Sequence, residues 1–210
     1  MAGVKKFTLE ATRNLLRHNE RTIKNPSNTD IDSSKTLSNY SLHPDRGMSD
    51  YNYFLYRKSQ LYCYNRADIK VTAGWIVTKP VDFPAENQEL FFRCVYNFLN
   101  NRYGIDNCIQ AIVHTDESGQ PHLHYVFIPV TDDKKHGGQK ICANEVLNPE
   151  ELRTFHPDLQ KYLLKQGINA NVINGITKKQ GGNKSVWQMK QERERTRNYE
   201  RAYERSISRW

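Results

Sequence analysis

The sequence lacks any long apolar run. Nowhere do about 18 apolar residues follow one another, which is the length that a membrane-spanning helix needs. Residues 1–19 also contain no apolar segment of the kind found in a secretory signal. These absences predict a chain without a membrane-spanning segment, located in the cytoplasm.

Cysteine is scarce as well. The chain has four cysteines, and no two of them stand in the Cys-x-x-Cys arrangement that is typical of zinc and redox motifs. Because cytoplasmic thiols are kept reduced, we expect reduced and mostly buried cysteines. They are Cys63, Cys94, Cys108 and Cys142.

Positive charge is plentiful but unevenly distributed. The net charge is +8 over 210 residues, and residues 178–210 contain ten Lys or Arg against four Glu, so this end alone contributes +6. A basic balance favours a polyanionic partner, and the basic end adds a salt-sensitive attraction to nucleic acid. We expect one domain over residues 1–177 and a basic, helical C-terminal extension over residues 178–210.

Apolar patterns predict a mixture of strands and helices. Residues 84–101 and 149–166 have apolar side chains at helical spacing, although Pro157 is expected to interrupt the second helix. Residues 7–16 fit either a short helix or a strand. Strands are predicted for residues 71–79, 109–113 and 122–130.

Two segments allow alternative interpretations. Residues 17–42 are almost entirely polar, which is typical either of a disordered arm or of a functional loop that packs over a site. Residues 50–65 carry five tyrosines. These tyrosines fit a core-facing stripe on a helix, or a platform on which unpaired bases stack.

Three of the seven histidines fall on the predicted hairpin of residues 111–130. His122 and His124 are two residues apart on a strand, so their side chains project to the same side. His114 ends the preceding strand, and the Gly- and Pro-containing loop that follows turns the chain back towards the pair. Three converging imidazoles predict an open metal site, which suits catalysis better than a closed structural zinc site. The alternative is three unrelated surface histidines on a half-exposed hairpin.

A divalent metal at such a site can act as a Lewis acid on a phosphodiester. The attacking group would be either water or a protein side chain, and a side chain would form a covalent link to the nucleic acid. Two side chains compete for that role. His18 lies in the polar segment beside Arg17 and Arg21, and Tyr162 lies on the last predicted helix.

Three motifs, taken together, carry a family resemblance. They are His18-Asn19-Glu20-Arg21, then Asn28-Thr29-Asp30-Ile31-Asp32 leading to Asn39-Tyr40-Ser41-Leu42, and finally His114-Thr115-Asp116-Glu117 followed by Pro121-His122-Leu123-His124. In order and spacing the chain resembles the MobV-type (Pre/Mob) plasmid relaxases over roughly residues 13–170. The resemblance implies an α+β fold of the HUH relaxase type, with a central antiparallel sheet of about five strands and helices packed on one face.

The resemblance also implies an activity and its site. It implies strand-specific nicking of single-stranded or hairpin origin-of-transfer DNA with Mn²⁺ or Mg²⁺, in the bacterial cytoplasm, leaving the enzyme on the 5′ phosphate. His18 would be the nucleophile, Glu117 would take its proton, and Arg21 would hold phosphate. The metal ligands would be His114, His122 and His124, and the expected DNA contacts are Arg17, Asn19, Asn39 and Tyr40. Residues beyond the end of the chain would support a homo-oligomer.

One spacing departs from the family. Three residues separate Glu117 from Pro121 where the family has two, which bears on the register of His114 and on the reach of Glu117. Two other functions fit the residues. One is a rolling-circle replication initiator that uses Tyr162, and the other is a non-catalytic protein that binds origin DNA and represses its own promoter. Ligand type alone leaves Mn, Mg, Fe, Co, Ni and Zn open.

Overall fold

A five-stranded antiparallel sheet forms the centre of the molecule. The computed structural model describes residues 2–26, 28–173 and 186–207. The strand order is β1-β3-β5-β4-β2, and the predicted α+β fold with its central sheet is confirmed. The strands are β1 (Ala2–Thr8), β2 (Tyr40–Ser41), β3 (Lys70–Thr78), β4 (Cys108–His114) and β5 (His122–Phe127), and β6 (Val130–Asp132) pairs with β7 (Gln139–Ile141) in a separate small sheet.

Six α-helices accompany the strands in the described part of the chain. They are α1 (Leu9–Asn19), α2 (Asp50–Ser59), α3 (Gln88–Tyr103), α4 (Ala143–Val146), α5 (Pro149–Lys165) and α6 (Val186–Ile207). Residues 7–16 contain both of the structures considered for them, because the Thr8 side chain caps α1 just where β1 ends. The expected interruption at Pro157 is wrong. Pro157 is exposed, and the burial of Phe155, Leu159 and Leu163 on the opposite side holds α5 continuous.

Helices α3 and α5 pack on one face of the sheet. Trp75 of β3 stacks on Phe155 of α5 with ring centroids 3.6 Å apart, and Tyr103 of α3 stacks on Phe127 of β5 at 4.1 Å. This is the helical layer expected on one face. On the opposite face, Leu16 of α1 and Phe54 of α2 form a second, smaller core with the sheet. Helices α1 and α2 therefore cover part of the face that carries the histidines.

The tyrosine-rich segment is helical only as far as Ser59. Phe54 is the buried residue of α2, while Tyr56, Tyr62 and Tyr64 are exposed. Of the core-facing stripe expected at Tyr53, Tyr56 and Cys63 or Tyr64, Tyr53 and Cys63 pack against the second core, and the expectation is wrong for Tyr56 and Tyr64. Of the four free thiols, Cys94 and Cys108 are buried, and Cys63 and Cys142 are half-buried.

The chain divides into two compact units, residues 1–173 and residues 174–210. The second unit contains α6, a helix of 22 residues. Residues 178–185 and 208–210 of the predicted extension lie outside the described part of the chain. No helix in the described ranges has the length and apolar character needed to cross a membrane.

Candidate active site

The three histidines of the β4–β5 hairpin lie together on one face of the sheet. His114 pairs directly with His122 across the two strands, and His124 follows on the same side. The ring centroids are 5.5 Å apart for His114 and His122, 4.4 Å for His114 and His124, and 4.9 Å for His122 and His124. One nitrogen from each ring lies within 4.8 Å of the others. The antiparallel pairing thus places the three rings as strand alternation predicted.

The donor atoms of this cluster fit a divalent cation. His114 Nε2 donates to the Asn19 carbonyl at 2.8 Å, so the lone pair of the neutral ring is on Nδ1, where it accepts from the Arg21 guanidinium at 3.0 Å. His124 Nε2 is buried without a hydrogen-bond partner among the described residues. Burial lowers the pKa of His114 to about 4 and holds the pKa of His124 well below its usual value. Both rings are therefore neutral at pH 7. His124 Nε2 has no competing partner among the described residues, whereas the lone pair of His114 Nδ1 reaches a metal only when Arg21 releases it.

Arg21 connects the end of α1 to the loop that follows β4. Its Nε and Nη2 donate to the two Asp116 oxygens at 2.9 and 2.7 Å, and Nη2 also donates to Glu117 Oε1 at 2.7 Å. Asp116 is 1% exposed, and the arginine holds the pKa of its carboxyl well below the usual range against the opposing effect of burial. The guanidinium predicted to hold phosphate is thus already paired with two carboxylates.

Glu117 reaches the histidines despite the longer loop. Its Oε1 lies 3.9 Å from His114 Nδ1 and 4.0 Å from His122 Nε2. The three residues before Pro121 are accommodated outside the hairpin pairing, since His114 and His122 remain in register. The spacing that departs from the family therefore preserves both the register of His114 and the approach of Glu117.

The polar segment of residues 17–42 packs on the same loop. Ile31 forms a β-bridge with Glu117, and the Asp32 amide donates to the Asp116 carbonyl at 2.7 Å. Asn39 Oδ1 accepts from the Thr115 amide at 2.8 Å. Of the two interpretations of this segment, the loop packed over a site is the one that its described residues adopt.

His18 lies in the last turn of α1, next to the histidine cluster. It borders a cavity of about 370 Å³ together with His124, and a second cavity of about 310 Å³ together with Arg21. The pKa of His18 is lowered, first by burial and then by the positive charge of Arg21. The fold therefore places a neutral imidazole at the edge of the candidate metal centre.

The remaining predicted residues lie in different surroundings. Arg17 is exposed on α1, while Asn19 is buried and donates from Nδ2 to Gln110 Oε1 at 2.8 Å. The Tyr40 ring packs against the core on the opposite face of the sheet from the histidines, and Tyr40 also borders a cavity of about 270 Å³ with Asn19 and Asn39. Tyr162 packs on Phe98 of α3 in that same layer, with ring centroids 5.5 Å apart. This placement contradicts the use of Tyr162 as a nucleophile at the histidines.

Sequence reasoning missed three residues at this site. Asp116 stands next to Glu117, but its partner Arg21 is remote in sequence, so its role was not evident. Gln110 is a buried polar residue within an apolar strand, which was the available signal, and it bonds Asn19, Leu16 and Asp50. Thr36 donates to Asp116 Oδ2 at 3.1 Å, and no sequence pattern pointed to it.

Comparison with known proteins gives consistent results. A sequence model described as "Plasmid recombination enzyme" (Mob_Pre) matches residues 1–191. A plasmid recombination enzyme from Lactiplantibacillus plantarum is 30% identical over 190 residues, which cover 87% of this chain and 50% of that protein. One from Bacillus thuringiensis is 28% identical over 181 residues, covering 84% of this chain and 39% of that protein. The chain thus spans half or less of the length of these two relatives.

A solved structure shares the fold. The MobM relaxase domain, in a manganese-bound crystal structure with plasmid pMV158 oriT DNA, superposes with a TM-score of 0.72 at 27% identity. The match covers 91% of this chain and 97% of the MobM domain. The family model matches residues 1–191, and the fold is shared with the MobM relaxase domain. This chain therefore belongs to the Mob/Pre family of plasmid recombination enzymes.

Proposed function

We propose that this protein nicks one DNA strand at a plasmid origin of transfer and remains covalently attached to the 5′ phosphate through His18. The observation that carries the proposal is the position of His18, which borders the same cavity as His124 of the histidine cluster. Family membership and the DNA-bound MobM neighbour support the substrate class.

His18 is suited to nucleophilic attack because its lowered pKa keeps it neutral at physiological pH. In the proposed step, the unprotonated ring nitrogen attacks phosphorus. A P–N bond forms, the P–O3′ bond breaks, and the leaving 3′ oxygen takes up a proton from solvent water. The imidazole then carries a positive charge and loses the proton of its other nitrogen.

Glu117 is the proposed acceptor of that proton. The negative charge of Glu117 raises the pKa of His18, against the larger lowering effect of burial. The hydrogen bond from Arg21 fixes the position of the Glu117 carboxylate. Arg21 is proposed to hold the scissile phosphate. The guanidinium has five N–H donors, so a phosphate oxygen can share it with the carboxylates.

His114, His122 and His124 are the proposed ligands of a divalent metal, with Mn²⁺ or Mg²⁺ as the expected ion. When bound, such a cation stabilises negative charge on a phosphodiester as a Lewis acid. The protein's own contribution is a rigid, antiparallel ligand set and a pair of rings that stay neutral at pH 7.

The proposal extends to the surroundings of the reaction. The substrate is single-stranded or hairpin origin DNA in the bacterial cytoplasm, with the exposed Arg17 and the loop residue Asn39 as further DNA contacts. Residues 1–177 form the nicking domain, and residues 178–210 add basic charge.

The test is formation of a covalent adduct. The protein is incubated with Mn²⁺ and labelled single strands that tile the origin region of the element carrying the gene, and adducts are separated under denaturing conditions. We expect an adduct and a free 3′-OH fragment with the unmodified protein and with Tyr162→Phe, but not with His18→Ala. An adduct with His18→Ala would overturn the nucleophile assignment. Two results together would instead support the non-catalytic repressor. They are sequence-specific DNA binding in EDTA and, in separate reactions, no cleavage with any divalent ion.

A further inference from the structure

A cavity of about 370 Å³ opens on the histidine face of the sheet, between β1, β3 and the last turn of α1. His18 and His124 border one part of it, and the rest is mostly apolar. The surrounding apolar side chains are Phe7, Leu15, Ile76 and Val126. Its volume is within the range of small-ligand sites, which begins at about 300 Å³.

Two glycines lie on the floor of this cavity. Gly3 pairs with Ile76 and Gly74 pairs with Lys5 across β1 and β3, so both glycines belong to the floor of the cavity. A Cβ atom at Gly74 would lie 3.3 Å from the Phe7 ring. A Cβ atom at Gly3 would meet nothing within 4 Å. Phe7 thus covers Gly74, and the open part of the cavity lies above Gly3, where the side chain is missing.

The cavity wall combines an exposed apolar residue with a buried acceptor. Ile76 is 40% exposed although it lies on an interior strand of the sheet. Asn19 Oδ1 is buried and has no hydrogen-bond partner among the described residues, and Asn19 also borders the cavity. Apolar walls match the faces of a nucleobase, and an amide oxygen matches an N–H group on its edge.

We propose that this cavity holds the base of a nucleotide that adjoins the scissile phosphate, with Phe7 and Ile76 contacting the base and Asn19 Oδ1 accepting from its edge. This base site rests on the proposed nicking function, because attack by His18 brings the scissile phosphate to the border of the cavity. The base of an adjoining nucleotide then lies within reach of it. Lys5 at the rim is placed to meet the strand's negative charge.

Substitutions at Gly3 test the cavity directly. Gly3→Leu extends an apolar side chain into the space from a Cβ position that meets no atom within 4 Å. Gly3→Ala is the matched control, which removes the glycine but leaves most of the volume. Binding of fluorescent single-stranded origin DNA is measured in EDTA, where it does not depend on cleavage. Because a stacked base contributes to binding, we expect Gly3→Leu to bind about tenfold more weakly than Gly3→Ala. Ile76→Ala provides an independent variant with a loss in the same direction.

An abasic substitution identifies the nucleotide. Single strands with an abasic site at successive positions are compared on both Gly3 variants. At one position next to the nick, the difference between Gly3→Leu and Gly3→Ala should disappear, because no base remains to be excluded. Equal binding of intact DNA by the two variants would overturn the proposal, as would a difference that persists at every abasic position.

Photocrosslinking separates this inference from the nicking activity. Single strands carrying 5-iodouracil at successive positions are irradiated with the unmodified protein, and the linked peptide is mapped. A crosslink to Phe7 supports the base site whether or not an adduct forms. Absence of the Mn²⁺-dependent adduct, together with this crosslink, would overturn the nicking proposal alone. Nicking with crosslinks confined to other surfaces would overturn the base site alone.

Discussion

Arg21 adopts a backbone conformation that usually belongs to glycine. Its φ of 58° is the only positive φ of a non-glycine residue in the described ranges. It follows α1, where its amide bonds the His18 carbonyl and the Thr22 amide bonds the Arg17 carbonyl, as in a Schellman motif. The left-handed conformation costs on the order of 1 kcal/mol or more for a side chain with a Cβ. The bonds from Arg21 to Asp116 and Glu117 offset this cost and fix the turn that carries His18.

Loss of the Asp116 charge should destabilise this arrangement. Asp116→Asn leaves the guanidinium of Arg21, whose side chain is 7% exposed, with Glu117 as its remaining carboxylate. We expect the free energy of unfolding to fall by about 1.5 to 3 kcal/mol, the range for hydrogen bonds to charged groups. Urea denaturation measures it. The matched control is Asp68→Asn, which breaks a fully exposed pair with Arg66 and should change nothing measurable. Equal stability of the two variants would contradict the role assigned to Asp116.

The lowered pKa values of two histidines, the buried His114 and the half-buried His43, predict a pH-dependent stability. Burial lowers the pKa of both His114 and His43 to about 4, below the value near 6.5 in an unfolded chain. The unfolded state therefore binds more protons between about pH 4 and 6.5, so stability falls as pH falls through this window. Each extra proton bound by the unfolded state lowers the free energy of unfolding by at most about 1.4 kcal/mol for each pH unit.

This dependence is measured by urea unfolding in EDTA at pH 5 and pH 7. We expect lower stability at pH 5, and a smaller difference between the two pH values in His43→Gln. Stability at pH 5 that equals or exceeds the value at pH 7 would show that these rings are not held neutral by burial.

At the residue scale, local patterns predicted part of the site. Alternation along a strand placed His122 and His124 on one side, and a short hairpin loop brought His114 next to them. The contacts of Arg21 with Asp116 and of Asn19 with Gln110 were not predictable, because each joins residues more than 90 positions apart. Such pairs depend on where α1 lies across the sheet, which no local pattern specifies.

Among the elements, the segment between α1 and α2 has the most consequence for the site. Its 3₁₀ helix, Ser33–Ser38, and the residues around it bond the loop after β4 at several points. Ser38 and Thr115 share a hydrogen bond of 2.6 Å, in addition to the contacts of Thr36 and Asn39. This segment therefore holds the loop that carries Asp116 and Glu117.

Asn39→Ala tests that function of the segment. It removes the acceptor for the Thr115 amide, and a lost hydrogen bond of about 1 kcal/mol corresponds to a roughly fivefold loss of protection. Hydrogen exchange followed by mass spectrometry should show faster exchange in the peptide containing Thr115, with little change in β3. Ser34→Ala alters the same segment without touching the loop and should leave that peptide unchanged. Unchanged exchange in Asn39→Ala would mean that the segment does not stabilise the loop.

Element prediction succeeded where apolar periodicity was strong. Helices α3 and α5 and strands β3 to β5 were predicted from their own residues. The strand order was not predictable, since β1 and β2 reach opposite edges of the sheet through contacts distant in sequence. The tyrosines of residues 50–65 fit a core-facing stripe by their spacing, but the fully buried position of α2 belongs to Phe54.

At the scale of the whole molecule, the basic charge is separable from the fold. Residues 174–210 form their own compact unit and contain the residues that contribute +6 of the net charge. A chain ending at residue 173 should unfold at the same temperature, measured by calorimetry for the unit of residues 1–173. Its affinity for single-stranded DNA should fall at low salt, with a shallower dependence of log affinity on log salt. A lower unfolding temperature would show that the second unit stabilises the first.

The central claim is that His18 becomes covalently bonded to DNA. The most direct measurement is mass mapping of the peptide that remains linked to the DNA after cleavage of a labelled origin strand with Mn²⁺. The account predicts a nucleotide on His18, joined by a P–N bond that acid cleaves. A nucleotide on Tyr162 or on any other tyrosine, joined by an acid-stable bond, would contradict it.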